Sequence, residues 1–151
     1  MEPVRIRTCT PEDLDAVLHL DCQWEQEQIA YNFTPISREE FLRHLERFPA
    51  YCLVAECDGG VVGYIHGAVR HHKGVPVLPQ GEPYVEIEQV YVHPDFRHRH
   101  IGGQLLDRLC AVAAQQGIQR CVVSSTSTEM DKILPFYRRH GFTPWYVQLF
   151  K

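Results

Sequence analysis

One stretch, Tyr84 to Gln116, limits the folds open to this chain more than any other. Tyr84 to His93 alternates with the two-residue rhythm of a strand, and Pro94 stops it. A short basic loop follows, Asp95-Phe96-Arg97-His98-Arg99-His100. Ile101 to Gln116 then reads as a helix: Ile101, Leu105, Leu109 and Ala113 share one face, and Gly117 supplies a C-cap. A strand that feeds a helix this directly calls for a sheet that the helix can cover.

The flanking segments supply that sheet. Val4 to Cys9 predicts a strand, and Thr10-Pro11-Glu12-Asp13 predicts a capped helix start with Leu14, Val17 and Leu18 at helical spacing. Ser37 and Glu40 form a capping box for a second helix, whose apolar face is Phe41, Leu45 and Phe48 and whose stop is Pro49. Tyr51 to Cys57 and Val61 to Arg70 predict strands joined by Asp58-Gly59-Gly60, a hairpin signal. His71 to Pro83 predicts a loop, Ile118 to Ser124 a strand, Asp131 to His140 a short helix with Pro135 inside, and Trp145 to Phe150 a last strand. A hairpin followed by strand, helix, strand, helix and strand implies an α/β fold of mixed α+β type, with a central mixed sheet and helices on both faces.

With 151 residues, 44% of them apolar, the chain predicts a single domain over 1–151 that buries a core without staples. A net charge of −4 argues against a nucleic-acid surface. The six cysteines form no C-x-x-C pair and several sit in apolar runs, which predicts reduced thiols and a cytoplasmic protein rather than a disulfide framework. Met1 to Arg5 carries no apolar leader, and no apolar run approaches the roughly 20 residues that span a bilayer, so no membrane partner is expected.

The loop before the second half of this unit carries the clearest chemistry. The first N–H groups of a helix have no intrahelical partner, and the helix dipole places partial positive charge there. A pyrophosphate fits such a place. Gly102 and Gly103 would let a ligand approach the backbone, and Arg97 and Arg99 add full charges beside it. A solvated basic loop before an ordinary amphipathic helix is the alternative, since no Walker or dinucleotide pattern is present.

The segment Val90 to Leu106 resembles the acetyl-coenzyme A motif of the GNAT family of N-acetyltransferases: Arg or Gln, two residues, Gly, one residue, then Gly or Ala. Arg97 takes the first place, His100 the first glycine and Gly102 the last. Val61-Val62-Gly63-Tyr64-Ile65 is similar to the family's third strand, and Phe136-Tyr137-Arg138-Arg139-His140-Gly141-Phe142 to its Phe-Tyr-x-x-x-Gly-Phe signature. The resemblance implies the GNAT fold, with a mostly antiparallel sheet, and acetyl-coenzyme A as co-substrate. It also implies that backbone groups of Val90 and Val92 hold the pantetheine arm and thioester. Arg97, His98, Arg99, His100, Ile101, Gly102 and Gly103 would then hold the pyrophosphate. Two positions depart from the pattern. His100 replaces a glycine, and Met130 stands where an asparagine often bonds the cofactor.

Aminolysis of a thioester needs a neutral amine, a sink for its extra proton and a proton for the leaving thiolate. The signature match makes Tyr137 the candidate acid; core packing is the competing role, because Ile133, Phe136, Tyr137 and His140 share a helical face. Strict alternation along Tyr84 to Val92 puts Glu86, Glu88, Val90 and Val92 on one face, so Glu88 is the candidate base, with Glu86 behind it. A second carboxylate and partial burial are expected to raise the Glu88 pKa. Solvated acids are the competing reading. His71-His72 and His98-x-His100 lack a carboxylate or cysteine at ligand spacing, so no metal is expected.

By the same resemblance, Asp21, Trp24, Glu25, Glu27, Tyr31, Phe33 and Glu82 would build the acceptor pocket. Acids among aromatics suit a small cationic amine. A protein N-terminus or lysine, and a coenzyme A-binding module without catalysis, are the alternatives; a homodimer is possible under each.

Overall fold

The computed structural model describes residues 3–27, 34–71, 75–125 and 129–151. Five strands form one sheet in chain order: β1 (Arg5–Thr8), β2 (Cys52–Cys57), β3 (Gly60–His71), β4 (Pro83–Val92) and β5 (Cys121–Val123). The first three pairings are antiparallel and β4–β5 is parallel, which gives the mixed, mostly antiparallel sheet that the sequence predicts. Helices α1 (Leu14–Gln26) and α2 (Arg38–Arg47) cover one face; α3 (Ile101–Gln115) and α4 (Met130–Arg139) cover the other.

Local chemistry sets most boundaries. The Asp13 carboxylate accepts from the Thr10 N–H at 2.9 Å, fixing a single 3₁₀ turn from which α1 continues. At α2 the Glu40 N–H donates to Ser37 Oγ at 3.2 Å, and the Ser37 N–H donates to Glu40 Oε2 at 3.0 Å, closing the predicted capping box. Asp58 and Gly59 both have positive φ, 51° and 78°, as a tight hairpin turn demands.

Each face of the sheet buries its own cluster. Val17, Leu20, Phe41, Val54 and Tyr64 pack beneath α1 and α2; Ile65, Val85, Ile87, Leu105, Leu106 and Leu109 pack beneath α3. None of the six cysteines is in a disulfide. No helix among the described residues is long and apolar enough to cross a membrane.

Two predicted strands differ from the structure. The fifth is only Cys121–Val123 instead of Ile118 to Ser124. Trp145 to Phe150 forms no strand, and Tyr146, Val147, Leu149 and Phe150 are exposed. Alternating apolar residues make a strand only where a sheet edge pairs with them, and nothing among the described residues does so here.

The register between β3 and β4 carries the feature that shapes the site. His66 lies opposite Gln89, yet Gly67 lies opposite Ile87, so Glu88 is an extra residue in β4. This β-bulge reverses the alternation. Val85 and Ile87 before it, and Val90 and Val92 after it, face α3; Glu86, Glu88, Gln89 and Tyr91 face α1 and α2. The single face predicted for Glu86, Glu88, Val90 and Val92 is therefore wrong, because the prediction assumed unbroken alternation. Gly67 stands opposite the bulge, where a Cβ would come within 2.7 Å of the Glu86 carbonyl oxygen. Gly67→Ala is expected to destabilise the fold by about 1–3 kcal/mol, the usual cost of overpacking against fixed backbone. The midpoint of urea unfolding reads this, and an unchanged midpoint would show that the β3–β4 contact is slack.

Candidate active site

Strand β5 pairs with β4 only through Cys121–Val123 opposite Val85–Ile87. Beyond Ile87 the far edge of β4 has no strand partner among the described residues, which leaves a gap in the ladder. The His93 N–H donates to the Val62 carbonyl at 2.8 Å. Peptide groups alternate sides along a strand, so those of Val90 and Val92 turn away from β3 into the gap. The Val92 carbonyl accepts from Arg97 Nε at 3.0 Å.

The start of α3 lies just beyond the end of β4. His100 is its N-cap, in the left-handed region at φ 61°, and its side chain makes no capping bond. Histidine pays less there than most side chains, which explains how it replaces a glycine. The N–H groups of Ile101, Gly102 and Gly103 precede the first intrahelical bond, in which the Gln104 N–H donates to the His100 carbonyl at 3.0 Å. The two glycines serve different ends. A Cβ on Gly102 would meet only Phe136 and Val92 at ordinary contact distances of 3.7 and 3.8 Å. A Cβ on Gly103 would lie 2.7 Å from the His140 ring, which Asp107 pins through Nδ1 at 2.7 Å. Gly103 thus lets α3 and α4 approach, and it can offer a ligand only its N–H.

The basic side chains are less free than their sequence suggests. The Arg97 guanidinium donates to both Glu27 carboxylate oxygens, at 3.0 and 2.6 Å, and lies 5.3 Å from the centre of the Tyr91 ring. The Tyr91 hydroxyl also donates to Glu27. Burial pushes the Glu27 pKa up, but the Arg97 and Tyr91 bonds outweigh it and hold the carboxyl low. Arg99 sits 5.6 Å from the Phe96 ring and 3.7 Å from Cys57 Sγ. His98, also at φ 61°, and His100 are exposed.

Tyr137 is buried between Phe136 and Phe142, with ring centres 5.1 and 5.7 Å away. Its hydroxyl lies close to Ser125, just past β5, where the gap begins. Burial raises the phenol pKa, so it holds its proton at neutral pH. Packing and proton donation are both compatible with this placement.

On the opposite face Glu88 Oε1 accepts from Arg70 Nη2 at 2.9 Å, and Glu88 Oε2 lies 3.3 Å from His66 Nδ1 and 3.7 Å from His44 Nδ1. Glu86 accepts from Arg70 Nε at 2.9 Å. The expected rise in the Glu88 pKa is reversed. The His66 imidazole, with help from His44 and Arg70, holds the carboxyl below its usual range despite half-burial. Sequence reasoning missed these partners because they arrive from α2 and β3, and no local spacing announces them.

The acceptor residues are dispersed. Asp21 is fully buried and accepts from the Ile36 N–H at 2.7 Å, the Tyr64 hydroxyl at 2.8 Å and Gln89 Nε2 at 3.1 Å, so it is internal glue rather than pocket lining. Trp24 stacks on Tyr91 at 5.7 Å. Glu25 is exposed. Glu82 precedes β4 at the end away from Val92 and pairs with Arg120 at 3.8 Å. Tyr31 and Phe33 lie outside the described residues. A shallow cleft of about 240 Å³ lies between the end of α1 and the end of β4, lined by Gln23, Gln26, Glu27, Tyr91, His93, Pro94 and Asp95.

A β4–β5 ladder that ends after three pairs, beside an uncapped helix start, suits a long anionic ligand, and residues 16–142 match the family model described as the acetyltransferase (GNAT) family. The chain belongs to the GNAT family. An amino-acid acetyltransferase from Edwardsiella ictaluri is 30% identical over 96% of this chain, which spans 28% of that protein. An uncharacterised N-acetyltransferase from Methanocaldococcus jannaschii is 27% identical over 91% of this chain, which spans 59% of it. Among solved structures, AAC(6')-Iy in complex with the bisubstrate analogue CoA-S-monomethyl-acetylneamine superposes with a TM-score of 0.74 at 19% identity, covering 99% of this chain and 97% of that one. That likeness extends the GNAT fold to nearly the whole chain.

In this GNAT chain Gly102 has room for a side chain on the protein side, so substitutions there test ligand binding rather than folding. Gly102→Glu is expected to abolish acetyl-coenzyme A binding in calorimetry with the circular dichroism of the fold retained; full affinity would remove the helix start from the site. Gly103→Ala, by contrast, is expected to lower the unfolding midpoint, because His140 must move.

Proposed function

We propose that this protein transfers the acetyl group of acetyl-coenzyme A to the primary amine of a small cationic acceptor, in a cytoplasmic setting. The observation that carries the reading is the gap beyond Ile87, with the Val90 and Val92 peptide groups turned into it, the free N–H groups of α3 at one side and Tyr137 at the β5 side. The N–H groups of Ile101 and Gly102 hold the pyrophosphate, and the Val90 peptide holds the pantetheine arm. Met130 opens α4 with a thioether in place of a carboxamide, so this cofactor contact is not made.

The acceptor amine attacks the thioester carbonyl. The C–N bond forms as the carbonyl electrons move to oxygen; they return as the C–S bond breaks, and Tyr137 protonates the departing thiolate. The amine's proton goes to Glu88 Oε2, directly or through one water, while Arg70 holds Oε1 and Glu86 balances the Arg70 charge. A carboxylate held low is a weak base, which favours the relay through water. Exposed Asp95 at the cleft and the stacked Trp24 and Tyr91 support a cationic acceptor, while Glu27 is already compensated by Arg97. The bisubstrate ligand named for AAC(6')-Iy is consistent with this class. The exposed apolar residues of the C-terminal segment are the surface that supports a homodimer.

Release of free thiol from acetyl-coenzyme A with a panel of polyamines, aminoglycosides, amino acids, lysine peptides and N-terminal peptides tests the reading. Turnover with small cations is expected. Turnover only with peptides would move the function to proteins, and binding without turnover would make the chain a coenzyme A-binding module. Tyr137→Phe is expected to lower kcat by roughly 10²-fold, the scale of general-acid effects, with cofactor affinity intact; wild-type kcat would leave Tyr137 a packing residue. The pKa of Glu88 lies below its ordinary value of 4.5. Its carboxylate therefore persists as the pH falls, and the Glu88 contribution to kcat/KM is expected to be lost only below that value. An acidic limb near neutrality that Glu88→Gln abolishes would contradict the depressed pKa.

A further inference from the structure

His44 of α2, His66 of β3 and Glu88 of the β4 bulge each offer one potential ligand atom, all within 4.8 Å of one another. The tautomers follow from their partners. Gln89 donates its amide nitrogen to Asp21, which only accepts, so Gln89 Oε1 faces His66 Nε2 at 2.7 Å and Nε2 carries the proton. His44 Nε2 lies 2.9 Å from the Gly67 carbonyl, so it too carries the proton. Both Nδ1 atoms are thereby left as lone pairs aimed at Glu88 Oε2. His66 is 2% exposed, and its Nδ1 has no hydrogen-bond partner. Three acceptors facing one another repel unless a proton on one imidazole or a metal cation in its place sits between them.

We propose that His44 Nδ1, His66 Nδ1 and Glu88 Oε2 bind a divalent cation of the zinc type. Two imidazoles and a carboxylate suit Zn²⁺, and each imidazole already gives its other N–H to an oxygen, as the outer partners of metal-bound histidines do. A tetrahedral zinc ion with bonds of about 2.0–2.2 Å holds its ligand atoms about 3.3–3.6 Å apart. The carboxylate oxygen is already 3.3 Å from His66 Nδ1 and 3.7 Å from His44 Nδ1. Glu88, with its side chain 28% exposed, leaves a route for the ion and a water as the fourth ligand. Arg70 opposes a cation, but Glu86 balances it, and its bond to Oε1 turns Oε2 toward the histidines. The bound ion occupies the oxygen assigned above to the amine's proton, so zinc inhibits transfer; that consequence, unlike the binding, rests on the proposed role of Glu88.

The test begins with the chelator-washed protein. Competition for Zn²⁺ with a chromophoric chelator is expected to show one equivalent bound, and Co²⁺ to give tetrahedral ligand-field absorption without thiolate charge-transfer bands. His44→Gln, on the partly exposed helix, and Glu88→Gln are each expected to weaken binding at least tenfold, by the scale of lost outer partners alone, about 10–100-fold. No binding, thiolate bands, or unchanged affinity in both variants would overturn the site. Acetylated product, followed by mass spectrometry, is expected to fall with added Zn²⁺ in the wild type and to resist it in His44→Gln. Stoichiometric binding without inhibition would uphold the metal site and refute Glu88 as the base.

Discussion

Strand β4 carries one residue more than β3 opposite it, and the arrangement of the site depends on where that residue falls. Between Ile87 and Gln89 the ladder takes in Glu88 without a partner, so Glu88 and Gln89 both project toward α1 and α2. The same step returns Val90 and Val92 to the face beneath α3. Without it, Val90 and Val92 would point into the polar network around Asp21, and Tyr91 would lose its place against Trp24. Gly67 makes the step possible, because no side chain fits against the Glu86 carbonyl.

The bulge divides the sheet into two faces of different chemistry. On one side lie the peptide groups of the β4–β5 gap and the helix start, which are uncharged donors and acceptors suited to a thioester and a pyrophosphate. On the other lie ionised groups in tight mutual pairing: Glu86 and Glu88 with Arg70, Glu27 with Arg97. Each pair restrains a long side chain, and Glu27 and Glu88 are held below their ordinary pKa.

The Asp21 network shows the same economy in the core. A fully buried carboxylate is tolerable only with several donors, and Ile36, Tyr64 and Gln89 supply them from a loop and two strands. By fixing the Gln89 amide, this hub also fixes the His66 tautomer two bonds away, which links the packing of α1 to the protonation pattern beside Glu88.

Local sequence determined a good deal. The Ser37–Glu40 box, the Asp58-Gly59 turn, the Pro94 stop and the Gly117 cap act within a few residues of themselves, so the helices, the hairpin and most strands were legible from the chain. The GNAT signature around Arg97 to Gly102 was legible for the same reason, since a helix start and its preceding loop are contiguous. Tertiary structure alone decided the rest. The bulge at Glu88 arises from pairing with β3, whose partner residues lie about twenty positions away, and no alternation rule contains it. The direction of the Glu88 pKa shift, the capture of Arg97 by Glu27, the filling of Gly103 by His140 and the meeting of His44 with His66 all depend on groups from distant segments. The tail from Trp145 to Phe150 shows the limit from the other side: its pattern suits a strand, but a strand exists only when another backbone pairs with it.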